Sequence, residues 1–137
     1  MIERKFITQI RVRYSETDQM GYCYYGNYAQ FLEIGRVEAL RNSGFRYKEM
    51  EQQGILLPVL DFQIKYIFPA KYDDLLTIET TIVAIKGTRI IFDYEIINEM
   101  GVKIATASTT LVFVSKESMR PMKAPENIVK AIQNANK

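Results

Sequence analysis

Residues 6–14 set Phe6, Ile10, Val12 and Tyr14 on even positions and Gln9, Arg11 and Arg13 on odd ones. A period of two is that of a strand with one face covered. The alternation stops at residues 15–26, a polar loop punctuated by glycine and rich in tyrosine at its end. Tyr28, Phe31, Leu32, Gly35, Val37 and Leu40 then recur at helical spacing as far as Ser43 and Gly44, where glycine supplies the stop. Asn27 is placed to cap that helix. Ile34 and Ala39 widen its apolar stripe past one face, so it wants cover on several sides, as when a sheet curls around it. Residues 46–53 read as a shorter helix ending at Gly54.

The rest of the chain reads as strands. Leu60, Phe62, Ile64, Tyr66 and Phe68 alternate with Asp61, Gln63 and Lys65, until Pro69 and residues 71–74 break the pattern. Residues 75–85 are a β-rich run, 86–88 a tight turn, and Ile90, Phe92, Tyr94 and Ile96 the next apolar face. A hairpin loop at 98–101 leads into a long final strand at 102–114. Pro125, Glu126, Ile128, Val129 and Ile132 predict a short terminal helix. Strand, long helix, short helix and four consecutive strands predict an antiparallel meander packed on one principal helix, an α+β fold. No repeat, linker or second domain interrupts it, so residues 1–137 read as one domain.

Composition removes several kinds of chemistry. With 47% hydrophobic residues the chain can build a core, and a net charge of +2 without any block of five basic residues argues against nucleic acid. A single cysteine, Cys23, forms no internal disulfide, which fits a reducing compartment. No apolar run approaches the ~18 residues that span a bilayer, and the first 14 residues lack a secretory pattern. A cytoplasmic protein is expected. The sequence contains no histidine, which excludes Ser-His-Asp and Cys-His devices, His-dependent dehydratases and most zinc sites. Any catalysis rests on carboxylates, Tyr, Lys, Arg, hydroxyls or backbone dipoles.

The segments Arg11-Val12-Arg13-Tyr14-Ser15-Glu16-Thr17-Asp18-Gln19-Met20-Gly21, Tyr24-Tyr25-Gly26-Asn27-Tyr28 and Phe31-Leu32-Glu33-Ile34-Gly35-Arg36 together resemble the 4-hydroxybenzoyl-CoA thioesterase family. The likeness is greatest to its tol-pal-associated acyl-CoA thioesterase branch. Residues 54–58 and 69–74, the latter read as a P-A-x-Y-D-D hairpin, extend it over roughly residues 6–121. The resemblance implies a hotdog fold, an antiparallel five-stranded sheet wrapped around one long central helix. It also implies hydrolysis of acyl-CoA thioesters to free acid and CoA.

Asp18 matches the family's catalytic carboxylate. An aspartate is ionised at neutral pH without help, and a thioester is activated enough for a carboxylate to attack it or to direct water at it. Which of the two applies stays open. The oxygen that gains charge needs donors, and a helix N-terminus supplies them. The resemblance carries that role to the backbone N–H of Tyr25, with Gly26 and Asn27 in support and Gly26 leaving the thioester unobstructed. Tyr25 stands where many branch members carry histidine, so the expected help comes from the backbone and not from a side-chain proton shuttle. Asp18 as a plain turn former is the competing reading.

Glu33 reads as an i,i+3 partner of Arg36, Glu16 as a solvated loop charge, and Asp73-Asp74 as a turn. Lys86 and Arg89 flank a turn near positions where family members hold the CoA phosphates; an ordinary solvated hairpin is an equal alternative. No metal and no tightly held cofactor is expected, CoA being part of the substrate. Edge-to-edge pairing into a homodimer or homotetramer is implied by the resemblance. The rival functions are an acyl-carrier-protein thioesterase and a non-catalytic acyl-CoA binding or lipid-sensing module.

Overall fold

The computed structural model describes residues 4–134. The extremes of the single-domain reading, residues 1–3 and 135–137, lie outside the described residues. The chain opens with strand β1 (Arg4–Arg11), makes two 3-10 turns at Tyr14–Glu16 and Tyr25–Asn27, and enters helix α1 (Tyr28–Asn42). Helix α2 (Tyr47–Gln52) and a short strand β2 (Ile55–Leu56) follow. Then come β3 (Val59–Tyr66), β4 (Leu75–Lys86), β5 (Arg89–Asn98), β6 (Lys103–Val112), β7 (Val114–Ser115) and helix α3 (Glu126–Asn134). Five strands form one antiparallel sheet in the order β1-β4-β5-β6-β3, and β2 pairs separately with β7.

The alternation in the central strands sets the core. Leu76, Ile78, Thr80, Ile82 and Ala84 of β4 and Ile90, Phe92, Tyr94 and Ile96 of β5 are buried, while the residues between them are half-buried or exposed. α1 lays Tyr28, Phe31, Leu32, Gly35, Ala39 and Leu40 into the core. Each large apolar side chain so covered contributes about 1.5–3 kcal/mol. Gly35 marks the closest approach: a Cβ there would collide with Thr80 Oγ1 and stand 3.0 Å from Ile78 Cγ2. One long helix on a five-stranded antiparallel sheet is the architecture the resemblance implies.

Four expectations need correction. Only β4, β5 and β6 form a meander; β3 pairs with β6 at the far edge, because β4 already has β1 and β5 on its two sides. Residues 69–74 are therefore not a hairpin but a crossover between β3 at one edge and β4 near the other. Nor is the apolar alternation of β3 a covered face within this chain. Val59, Leu60, Phe62 and Tyr66 are all exposed, since β3 is an edge strand with little helix over it. The long final strand is also divided, with Phe113 between β6 and β7.

Candidate active site

Between β1 and α1 the chain folds into a loop pinned at both ends. The Glu16 carbonyl accepts the Tyr24 N–H and the Asn27 Nδ2–H, both at 2.8 Å, which fastens the loop to the helix start. Asn27 is thus not a side-chain cap: it is itself helical, and its amide reaches back across the loop. Glu16 is not a solvated charge either. It is buried, its carboxylate accepts the Arg13 N–H at 2.8 Å, and it lies 3.3 Å from the Arg13 guanidinium. The Arg13 side chain carries no acceptor and is not a capping-box residue, so the sequence carried no cap signal for it.

The crossover fastens the other side. The Cys23 N–H donates to the Ala70 carbonyl at 2.7 Å, the Asp73 N–H to Val12 at 2.9 Å, and Tyr22 forms an isolated antiparallel bridge with Lys71. A segment some 50 residues downstream thus holds the loop that carries Asp18. Asp73 turns the crossover with φ of 69°, and the Asp74 carboxylate accepts the Lys71 N–H at 2.9 Å. That is turn chemistry, and no cluster suited to a metal occurs among the described residues.

Asp18 is half-buried. Its Oδ1 accepts the N–H groups of Met20 (2.9 Å) and Tyr22 (3.2 Å), while its own N–H donates to the Tyr22 carbonyl at 2.8 Å. The turn-forming role is real, but it occupies one oxygen. Oδ2 has no hydrogen-bond partner among the described residues. Asp18 and Asn27 line one groove of about 580 Å³ with Tyr14, Thr17, Gln19 and Tyr24.

Tyr25 opens the 3-10 turn that runs straight into α1, and its N–H has no acceptor among the described residues. The residue is 64% exposed, its ring packs on Tyr24 at 4.8 Å between centroids, and it is not among the residues lining the groove. Gly26 makes room for a neighbour: a Cβ would stand 2.8 Å from the Tyr24 ring. Cys23, buried beneath the loop, has its thiol pushed up to about 11 by burial and by the nearby Glu16 charge. It is not a nucleophile near neutral pH.

The structure does not bring Lys86 and Arg89 to this groove. They flank the turn at the far end of β4, whereas the loop sits beside Leu75 and Asp74 at its start. Eleven steps at ~3.3 Å put about 36 Å between the two ends. The expected Glu33–Arg36 pair does not form. Glu33 faces solvent, and the Arg36 side chain runs inward to the Tyr47 and Tyr94 phenols.

The five-stranded antiparallel sheet with the one long helix α1 on it is a hotdog fold, an architecture that thioesterases use. The match to the family model described as "Thioesterase-like superfamily" covers residues 12–132, and the chain belongs to that family. Over 114 residues it is 38% identical to a protein of Bacillus subtilis named putative acyl-CoA thioesterase YneP, covering 83% of each chain. It is 32% identical over 120 residues to the acyl-CoA thioester hydrolase YbgC of an Escherichia coli O6:H1 strain, covering 88% of this chain and 90% of the relative. Among solved structures, a DHNA-CoA thioesterase from Staphylococcus aureus superposes with a TM-score of 0.87 at 33% identity, over 97% of this chain and 95% of that one.

Proposed function

We propose that this thioesterase hydrolyses acyl-CoA thioesters to the free acid and CoA, with Asp18 as its catalytic carboxylate. The observation that carries the reading is the division within Asp18: Oδ1 is held by two backbone N–H groups, and Oδ2 has no partner among the described residues, which leaves it available to a substrate or a water. The Tyr25 N–H, at the positive end of the helix dipole, serves the oxygen that becomes negative in the tetrahedral intermediate. Two routes give the same products. Either Oδ2 adds to the carbonyl, expelling CoA thiolate and leaving an anhydride that water opens, or it takes a proton from a water that adds in its place.

Asp18→Asn is the informative variant, because asparagine keeps the Oδ1 acceptor and hence the turn. Turnover of an acyl-CoA panel from acetyl to palmitoyl, with benzoyl forms, is expected to fall at least ~100-fold, the scale of a lost catalytic group, at unchanged melting temperature. A variant that keeps its activity sinks the assignment.

A homodimer completes this reading. The outer edge of β3 leaves Leu60 (53%), Phe62 (38%) and Tyr66 (48%) exposed, an apolar edge suited to a second copy. Lys86 and Arg89, too distant within one chain, serve the CoA phosphates only from such a partner. No helix among the described residues is long and apolar enough to cross a membrane, and the action we assign is cytoplasmic.

A further inference from the structure

A second cavity, of about 400 Å³, lies between α1, α2 and the β2–β7 pair and shares no lining residue with the Asp18 groove. Its walls include Met50, Ile55, Leu57 and Val114, and Arg36 and Tyr47 also line it. Arg36 is 7% exposed, and its Nε has no hydrogen-bond partner among the described residues. It takes part in none of the ion pairs found there. The Tyr47 hydroxyl is likewise buried; it lies beside the guanidinium, and its own proton has no acceptor among the described residues. Glu33 and Glu51 line the same cavity from exposed positions, and neither pairs with the guanidinium.

A buried guanidinium without an anion is costly and uncommon. Arginine has only donors, and a tyrosine beside it that accepts an Arg N–H still has its own proton to give. Burial pushes the Tyr47 phenol up to about 12, so it keeps that proton at any physiological pH. Two buried donors in a largely apolar lining, with the two glutamates at exposed positions, call for an acceptor-only group on an apolar body. A carboxylate matches the guanidinium fork best.

We infer that this cavity binds a carboxylate carried on an apolar chain, held by Arg36 and Tyr47. The inference stands apart from the hydrolytic reading of Asp18. Such a carboxylate has two sources: a free alkanoic acid, or the distal end of an acyl group that is itself a dicarboxylate.

Octanoate and octan-1-ol, which share one apolar body, are the probes, titrated calorimetrically into the intact protein. Octanoate is expected to saturate at one per chain with a Kd at least tenfold below that of the alcohol. Tyr47→Phe, which keeps the ring and its packing, is expected to weaken octanoate several-fold, while Asp18→Asn is expected to bind it unchanged. Equal affinity for the two probes, no saturable octanoate binding, or indifference to Tyr47→Phe overturns the site. The sources separate in a second arm, kcat/KM for the mono-CoA thioester of octanedioic acid against octanoyl-CoA. A preference for the diacid thioester that Tyr47→Phe abolishes assigns the site to the substrate's distal end; no preference, with octanoate still bound, assigns it to a free acid.

Discussion

Asn27 is where the loop and the helix meet, through one amide N–H on the Glu16 carbonyl. Asn27→Asp swaps that donor for an acceptor at nearly constant size, setting a carboxylate against a carbonyl oxygen. We expect kcat/KM to fall by about tenfold to a hundredfold, with ~1–3 kcal/mol of stability lost, read from initial rates and urea unfolding. Cys23 gives a companion test by pH. A thiol raised by burial stays protonated as pH rises, so alkylation by iodoacetamide should stay slow through pH 9, where an ordinary thiol is already half ionised, and accelerate only toward pH 11. Rapid alkylation at pH 8 would show that the loop opens. At this scale the sequence was a partial guide. It singled out Asp18 by pattern, but Glu16 read as a solvated charge and Arg36 as the ion-pair partner of Glu33, because burial of a charge depends on what the fold stacks over it and leaves no periodic trace.

At the scale of elements, α1 is held by shape as much as by area. Its apolar face meets β4 where Gly35 lets the backbone sink onto Thr80 and Ile78. Gly35→Ala removes that clearance where neither neighbour can give way, since both belong to β4, which is paired on both sides. Overpacking of this kind costs about 1–3 kcal/mol, against the few tenths to one that alanine gains in an exposed helix. A lower urea midpoint at constant slope is the expected result; a rise would show that the sheet relaxes. The central strands were legible because their alternation coincides with cover on one face. β3 has the same alternation, yet the periodicity names a face without naming what lies on it. The crossover at 69–74 was misread for a related reason: proline and paired aspartates announce a reversal of direction, not which strand the chain joins next.

For the whole molecule, the unpaired edge of β3 is the feature that a single chain leaves unresolved. If two copies join there, the protein sediments at twice its 15.9 kDa chain mass. Phe62→Lys, which places a charge on the apolar edge strand, should shift it to monomer at micromolar concentration. Light scattering behind size exclusion checks both. If Lys86 and Arg89 reach CoA only across that junction, the monomer also shows a raised KM for acyl-CoA.

The strap formed by residues 69–74 has a consequence for how this catalyst can change. Because Cys23 hangs from Ala70 and Val12 from Asp73 by main-chain bonds, chain length matters there more than side-chain identity. An inserted residue in either segment throws the two out of step, so lengthening one without the other is penalised even where each is individually a surface loop. Changes to this loop are therefore reached by exchanging side chains, or by matched insertions in the two segments, some 50 positions apart.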